Sequence, residues 1–310
     1  MTRSEFLKAA GSAAIFAAAD DVFGGAPEIG AKVDYAALQA EIDEVTPQDF
    51  KLYLDGEWDW FGLTRKAALQ RLDEAFDRVL AEVKSTVVTD NPAVWLVYNM
   101  GVIVKTKETC FSIDLKHRRA PEIAPLLDFA LITHNHGDHY TGEFYKAMNG
   151  VGKTVVSNFL DNYGAADWRK GGKYWEAGGY TRVEKTFKLK DVEIRTALTD
   201  HNPYLVDFTT AFEVHVGKYT ICHSGDCSNI AKLNPTRRPD LWIVHPHCGM
   251  KVEEGVEKLK PLLTVIAHLN ELGHARNCAR FTWADGLKVK ARIEKTGGAA
   301  VVPIWGARIV

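Results

Sequence analysis

The 310-residue sequence has few cysteines and almost no excess of either charge. Its five cysteines are odd in number and none lies in a Cys-x-x-Cys pair, which argues against a disulfide framework. Thirty-eight basic and forty acidic residues leave a formal net charge of -2, so no global field favours nucleic acid or an anionic membrane. There is no internal repeat and no low-complexity linker. The composition, 46% hydrophobic and 25% charged, is typical of a globular chain with a large core.

Residues 1–30 combine a short charged start with a run of small apolar residues over 9–19. This run is too short to span a bilayer as a helix, so we expect no stable membrane insertion. The pattern predicts an export signal or a disordered leader, and therefore a periplasmic or secreted protein. It resembles a twin-arginine signal, although Ser4 stands where the second arginine belongs. The alternative is an Ala-rich helix of a cytoplasmic protein.

Residues 31–91 have helical periodicity, clearest over 63–83, where apolar residues recur at three- and four-residue steps. We therefore expect a helical N-terminal extension. From residue 92 to 310 the pattern changes to short apolar runs typical of strands, with helical stretches such as 142–148 and 252–259 between them. The predicted strands are 94–98, 101–105, 110–113, 129–132, 154–156, 183–188, 192–198, 211–216, 219–222, 241–244, 263–267 and 300–304.

The densest group of chemically active side chains directly follows the apolar run 126–132. His134, His136, Asp138 and His139 lie within six residues of one another there. In an extended chain, His134 and His136 point the same way and can share one ion. The backbone must then turn, which lets Asp138 and His139 reach a second ion. The spacing predicts a site for two metal ions, with a polar turn rich in histidine as the alternative.

This pattern, His134-x-His136-x-Asp138-His139, resembles the H-x-H-x-D-H signature of metallo-β-lactamase fold metallo-hydrolases. The resemblance implies an α+β fold, a four-layer αβ/βα sandwich over residues 92–310 behind the helical extension. It also implies two groups of metal ligands that share one bridging carboxylate. The ligands are His134, His136 and His201 for one ion, and Asp138, His139, Asp226 and His268 for the other, with Asp226 as the bridge.

Three of these ligands come from later motifs of the family. His201 closes a strand, and Asp226 lies in a Gly-Asp pair after another strand, although a plain loop histidine and an ordinary Gly-Asp turn are the alternatives. For the last ligand, His268 at the end of strand 263–267 is favoured over His274. His274 would then act from the second shell or on the substrate.

Supporting roles are expected for several other residues. Asp114 matches the family's first motif, a carboxylate that supports the metal loop through hydrogen bonds. His223 is expected to lie behind the metal ligands, and His247, together with His245, to line the pocket. Many relatives have a Pro-x-His-x-Gly segment near the C-terminus; here the segment has tryptophan in place of histidine, and Trp305 is expected to wall the site.

The resemblance implies a hydrolase that uses hydroxide bound to two zinc-like cations, with Mn²⁺ or Fe as alternatives, and with Asp138 and Asp226 as catalytic residues. An ester, lactone or phosphodiester of a small molecule is the expected substrate, as in the L-ascorbate-6-phosphate lactonase and phosphodiesterase-like branches. The basic run 116–119 and the loop 168–175 are candidate substrate contacts, with solvated surface as the alternative for each. No motif predicts nucleic-acid binding. Competing hypotheses are an iron-dependent persulfide dioxygenase-type oxidoreductase and a metal-stabilised binding protein.

Overall fold

The computed structural model describes residues 33–56, 66–157, 173–174 and 185–310. The leader predicted at 1–30 lies outside this part of the chain, as does nearly all of the loop 168–175. Within the described part, no helix is both long enough and apolar enough to cross a membrane.

Two β-sheets form the centre of the molecule. The strands are β1 (Ala93–Tyr98), β2 (Gly101–Lys105), β3 (Cys110–Ile113), β4 (Phe129–Leu131), β5 (Thr154–Val156), β6 (Lys173–Tyr174), β7 (Thr186–Leu189), β8 (Val192–Thr199), β9 (Thr209–Val216), β10 (Tyr219–His223), β11 (Leu241–Val244), β12 (Leu263–Ile266) and β13 (Ala300–Val301). The first sheet has the order β1-β2-β3-β4-β5-β6, and the second has the order β13-β12-β11-β10-β9-β8-β7. Each sheet is antiparallel at one side and parallel at the other, the parallel strands being β3 to β6 and β10 to β13.

Alternation along the strands builds two separate apolar cores. Val94 and Leu96 of β1 belong to the core between the sheets, whereas Trp95 and Val97 belong to a core shared with the helices. This split follows from the strand period of two, which sends successive side chains to opposite faces. Because both sheets divide their residues in this way, the molecule has four layers of helix, sheet, sheet and helix. The predicted sandwich is confirmed.

Six α-helices cover the sheets in the described residues: α1 (Tyr35–Asp43), α2 (Pro47–Leu54), α3 (Ala67–Ser85), α4 (Gly142–Gly150), α5 (Val252–Leu259) and α6 (Trp283–Lys295). Along α3, buried Leu69, Leu72, Phe76 and Val79 repeat at three- and four-residue steps. The N-terminal helices share the helix-facing core with the sandwich. The Tyr35 hydroxyl donates to the Val302 carbonyl at 2.6 Å, which ties α1 to the C-terminal segment.

The structure contains elements that were not predicted, and several strands are shorter than predicted. Strand β6 and helix α6 were missed; α6 has only a few large apolar residues among many charged ones. The predicted strand 300–304 is confined to Ala300–Val301 because the chain then leaves the second sheet. It crosses to β1, where the Leu96 amide donates to Ala307 at 2.9 Å and the Ile309 amide donates to Val94 at 2.7 Å.

Candidate metal centre

Loops that follow five different strands converge at one edge of the sandwich. Asp114 follows β3, residues 133–139 follow β4, and His201 follows β8. Asp226 follows β10, and His268 lies two residues after β12. The carboxyl ends of parallel strands meet at one sheet edge, which brings residues distant in sequence into one cluster.

The first potential metal-binding group consists of three histidines and one aspartate. Each of His134, His136, His201 and Asp226 offers a ligand atom, and these atoms all lie within 4.8 Å of one another. The ring centroid of His136 lies 4.6 Å from that of His134 and 4.6 Å from that of His201. This is the trio predicted for the first ion, with the predicted bridge beside it.

The second group shares Asp226 with the first. Asp138, His139, Asp226 and His268 also place one ligand atom each within 4.8 Å of the others. His139 Nε2 lies 3.2 Å from Asp226 Oδ1, and His268 Nε2 lies 2.9 Å from Asp138 Oδ2. The structure therefore brings together all seven predicted ligands in the predicted two sets, and places His268, rather than His274, in the second set. Their binding of metal stays a prediction.

Unpaired polar atoms at the meeting point of the two groups fit a cation. His134 Nε2, His139 Nε2 and Asp226 Oδ1 are buried and make no well-aligned hydrogen bond, although His139 Nε2 and Asp226 Oδ1 lie 3.2 Å apart. Buried polar atoms are almost always paired, because an unpaired one keeps its full desolvation cost. Cations held between these atoms would satisfy all three. The donor set of imidazole nitrogens and carboxylate oxygens suits zinc, and also iron or manganese.

Asp114 sets the orientation of a ligand in each group. Its carboxylate accepts the Thr133 amide at 2.8 Å, the Thr133 hydroxyl at 2.7 Å and His139 Nδ1 at 2.8 Å. Because the Thr133 hydroxyl donates to Asp114, its oxygen is free to accept from His134 Nδ1, 3.0 Å away. Both imidazoles then carry their proton on Nδ1, which leaves the Nε2 lone pair for an ion.

Unusual backbone conformations hold the second group in place. His268 has φ +55°, in the left-handed region that residues other than glycine rarely adopt. Its amide donates to the Asn99 carbonyl at 3.1 Å, while Asn99 Nδ2 donates to the Asp138 carbonyl at 3.1 Å. Asn99, itself at φ +54°, therefore links two residues of the group that are far apart in sequence. Such strain clusters at functional sites.

Charges within the cluster shift its pKa values strongly. Burial, reinforced by His139, holds the pKa of His134 well below its usual range. Burial opposes protonation of His139 as well, but the carboxylates of Asp226, Asp138 and Asp114 outweigh it and raise its pKa well above the usual range. Although burial acts to raise the pKa of Asp226, His139 and its neighbours keep it well below its usual range.

A cavity of about 910 Å³ opens onto both groups. Among the predicted pocket residues, His247 and His274 line it, and so does His245. The rings of His245 and His268 stack at 3.8 Å, and those of His247 and Phe281 stack at 4.0 Å. The cavity lining also contains Lys116, Gly137, Asn202, Pro203, Ser228, Cys248, Gly249, Glu271, Gly273 and Ala279.

His223 lies behind the cluster and does not line the cavity. It lies within hydrogen-bond distance of the Met100 carbonyl, 2.9 Å from Nε2, and its Nδ1 accepts the Gly225 amide at 3.3 Å. With Nδ1 as the acceptor, Nε2 carries the proton and donates to Met100. His223 therefore supports the backbone immediately before Asp226.

The structure corrects the expected position of Trp305. Its indole is buried in the helix-facing core, with its ring centroid 5.4 Å from that of Tyr98 and 5.8 Å from that of Trp283. It does not line the cavity, so the prediction that Trp305 walls the site is wrong. The segment after β13 crosses towards β1, which turns this residue away from the strand ends.

Of the basic run 116–119, predicted as a candidate substrate contact, Lys116 is the residue that reaches the cavity. Lys116 lines the cavity, but Arg118 pairs with Asp73 of α3 and Arg119 pairs with Glu122. These arginines thus attach the loop to its neighbours. The alternative, a freely solvated run, does not hold for Lys116, because its side chain is only 5% exposed.

Sequence reasoning missed three residues at the site. Phe208 has its ring centroid 5.1 Å from that of His136 and packs against the first histidine trio. Asn99 joins Asp138 to His268, and Glu271 forms an ion pair with Lys116 in the cavity wall. None lies in a recognisable motif. The one signal in the sequence was that Glu271 lies three residues before His274, a candidate pocket residue.

No protein-family model and no curated protein matches the sequence. Solved structures do match. The metallo-β-lactamase fold protein YhfI from Bacillus subtilis is 14% identical, with a TM-score of 0.52 over 71% of this chain and 99% of that one. At this identity the similarity shows the fold alone. The chain has the metallo-β-lactamase fold.

Two further structures have the same fold. Igni18, a metallo hydrolase from the archaeon Ignicoccus hospitalis, is 18% identical, with a TM-score of 0.53 over 70% of this chain and 97% of that one. CmlA, a diiron β-hydroxylase from Streptomyces venezuelae, is 14% identical, with a TM-score of 0.52 over 70% of this chain and 54% of that one. This metallo-β-lactamase fold chain thus matches only about half of the hydroxylase.

Proposed function

We propose that this protein is a dinuclear metal-dependent hydrolase of small esters, lactones or phosphodiesters. The observation that carries the proposal is the pair of potential metal-binding groups sharing Asp226, with unpaired nitrogen and oxygen atoms buried between them. Structural stability alone does not require such a cluster at the floor of a large cavity. The similar fold of a protein named as a metallo hydrolase adds support.

Seven residues would hold the two ions. His134, His136 and His201 would bind one, Asp138, His139 and His268 would bind the other, and Asp226 would bind both. When present, the cations would lower the pKa of a coordinated water from about 15.7 to about 7 and polarise the scissile carbonyl or phosphoryl group. Because imidazole nitrogens and carboxylate oxygens are common zinc ligands, we propose zinc, with manganese or iron as alternatives.

The protein's own residues would position the reacting groups. Asp138 faces both His139, with 3.5 Å between Oδ2 and Nε2, and the cavity, so its carboxylate can orient the attacking water. Asp114 and Thr133 would keep His134 and His139 in the ligand tautomer throughout turnover.

The cavity favours small substrates of low charge. Its volume falls in the range of about 300–1,000 Å³ that holds small molecules. Among the described lining residues, Lys116 is the one lysine or arginine, and Glu271 already pairs with it at 2.9 Å. This arrangement favours esters and lactones over multiply charged phosphates. We therefore propose the lactone chemistry of the L-ascorbate-6-phosphate lactonase branch, on a substrate that carries no phosphate group.

A substrate panel with metal analysis tests this function. Zinc-loaded protein should contain close to two ions per chain and hydrolyse at least one of a carboxylic ester, a lactone and a phosphodiester. The double variant His136→Ala/Asp226→Ala should lose nearly all metal and activity, while the exposed Cys278→Ser control should keep both. A fully loaded double variant would refute the site assignment, and the absence of hydrolysis across the panel would refute the function.

An iron-dependent oxidoreductase, such as one of persulfide dioxygenase type, is the second candidate. The observation that favours it is the likeness in fold to a diiron β-hydroxylase. Histidine and carboxylate ligands also suit iron. An oxygen electrode separates the two functions: hydrolysis proceeds without oxygen uptake, whereas substrate-dependent uptake by the iron-loaded protein would replace the hydrolase proposal.

We also propose that residues 1–30 direct export, on the basis of their charged start and apolar run. Fractionation followed by N-terminal sequencing tests this location. A mature protein in the periplasm or medium that starts between about residues 17 and 26 would agree with a cleaved signal. Full-length protein confined to the cytoplasm would contradict it.

A further inference from the structure

The cavity wall contains a carboxylate that the proposed function does not use. The side chain of Glu271 is 1% exposed. One of its oxygens, Oε1, accepts from Lys116 Nζ at 2.9 Å and from the Tyr98 hydroxyl at 3.2 Å. The other oxygen, Oε2, is buried and has no hydrogen-bond partner. Half of a buried carboxylate is therefore held rigidly, and the other half is available to a neighbouring donor.

His274 is the neighbour of that free oxygen. Its Nδ1 lies 3.7 Å from Glu271 Oε2 and is buried without a hydrogen-bond partner. Yet its side chain is 37% exposed and lines the cavity, so the open part of the ring is the edge that carries Nε2. A small movement of the ring would let Nδ1 donate to the carboxylate while Nε2 faces the cavity. A carboxylate placed in this way fixes both the tautomer and the orientation of an imidazole.

The loop that carries His274 has a rigid support. Arg280 donates to the carbonyls of His274 and Leu272, each at 2.7 Å. A Cβ added to Gly273 would lie 2.9 Å from Glu271 Oε2, so glycine lets the loop pass close to that carboxylate. These contacts therefore fix the backbone that carries the imidazole at the cavity wall.

His274 lies within reach of the proposed reaction centre. Its ring centroid is 6.4 Å from that of His268, and the ring planes differ by 22°. Two hydrogen bonds of about 2.6–3.2 Å laid end to end span a similar distance. A substrate atom lying between the two rings would therefore be close to both a candidate metal ligand and the exposed edge of His274.

We infer that His274 donates a proton from Nε2 to the leaving oxygen of the substrate, and that Glu271 is its positioning residue. The inference rests on the proposed hydrolysis. As the bond from the acyl carbon or phosphorus to the leaving oxygen breaks, the electron pair stays on oxygen and takes up the Nε2 proton. The imidazolium becomes neutral imidazole, and the proton released by the attacking water returns to it through solvent. No further reactant is needed.

This step defines the class of leaving group. Alkoxides leave slowly without a proton, whereas the 4-nitrophenolate ion leaves readily without one. The inference therefore selects alkyl esters and lactones as the substrates that need His274. The charged and titratable groups around its ring are Glu271, Lys116 behind Glu271, and His268, while Arg280 contacts its carbonyl.

The experiment compares two esters that share one acyl group but differ in leaving group, an alkyl alcohol and 4-nitrophenol. For the zinc-loaded His274→Ala variant, kcat/KM on the alkyl ester should fall by about 10²–10⁴-fold, the usual contribution of general acid catalysis. Its kcat/KM on the 4-nitrophenyl ester should fall by less than about 10-fold. Added imidazole should restore part of the alkyl ester activity, and the zinc content should stay at the wild-type value.

Two further variants separate proton donation from a loop defect. Arg276→Ala alters an exposed residue of the same loop that pairs with Asp43, and should change neither ester reaction. Glu271→Gln should slow the alkyl ester more than the 4-nitrophenyl ester, as expected of a residue acting through His274. Equal losses on both esters, or loss of zinc, in His274→Ala would overturn proton donation while hydrolysis itself stands. A wild-type protein that cleaves neither ester would overturn this inference, and one that also cleaves neither a lactone nor a phosphodiester would overturn both proposals.

Discussion

Gly225 is the point at which the loop carrying Asp226 touches the loop carrying His134. It has φ +52°, and a Cβ added there would lie 2.8 Å from Thr133 Cβ and 2.9 Å from Thr133 Oγ1. That hydroxyl bonds to Asp114 and lies 3.0 Å from His134 Nδ1. We therefore predict that Gly225→Ala weakens both the fold and the metal centre.

The expected loss in the free energy of unfolding has two parts. An L-residue in the left-handed region costs about 1–2 kcal/mol, and forcing an extra methyl group into a packed contact costs about 1–3 kcal/mol. Gly225→Ala should thus lower the free energy of unfolding by about 2–5 kcal/mol. Gly217→Ala is the matched control: Gly217 has φ +57°, but nothing lies within 4 Å of its added Cβ. Gly217→Ala should lose only the cost of the left-handed backbone, about 1–2 kcal/mol.

Urea unfolding of chelator-treated protein measures both variants without any contribution from bound metal. Zinc titration of the folded proteins then measures the metal centre. Gly225→Ala should bind zinc about 10- to 100-fold more weakly, the usual effect of disturbing residues that support metal ligands, while Gly217→Ala should bind it normally. Equal losses of stability in the two variants, or normal zinc affinity in Gly225→Ala, would refute the reasoning.

Three other predictions concern the centre, the cavity wall and a helix. His268→Ala should remove one of the two ions and most activity, as measured by metal analysis and turnover; retention of both ions would exclude His268 as a ligand. Lys116→Met breaks a buried ion pair and should cost about 3–5 kcal/mol in urea unfolding, and Lys116→Met/Glu271→Gln should recover part of this; no recovery would contradict a charge effect. Burial acts to raise the pKa of Asp285, but hydrogen bonds from Thr282 at the start of α6 outweigh it and lower the pKa from 3.8 to about 2. Because the folded-state pKa is depressed, this stabilisation is present above about pH 4 and is lost as pH falls through about 2, so Asp285→Asn should flatten the unfolding temperature of chelator-treated protein over that range.

Local patterns in the sequence predicted the strands and helices and the cluster from His134 to His139, and the family resemblance that this cluster carries predicted the sandwich and the other candidate ligands. Strand alternation depends on the period of two within each strand, and it separated the core between the sheets from the helix-facing core. The cluster from His134 to His139 depends on the spacing of residues within one turn. His201, Asp226 and His268 each follow a strand, and these three strands, β8, β10 and β12, run in the same direction, so their carboxyl ends lie at the same edge. These predictions needed short-range geometry, the order of the motifs and the family resemblance.

Only the tertiary structure decided which residues surround that centre. Lys116 and Glu271 are 155 positions apart, and their pairing depends on how the loop after β3 meets the loop after β12. Trp305 lies away from the site because the chain after β13 crosses to the other sheet. His268 takes its place through a left-handed backbone and a hydrogen bond to Asn99, neither of which has a local signature. Contacts of this kind follow from the register of the sheets and the paths of the loops, and a pattern of neighbouring residues specifies neither.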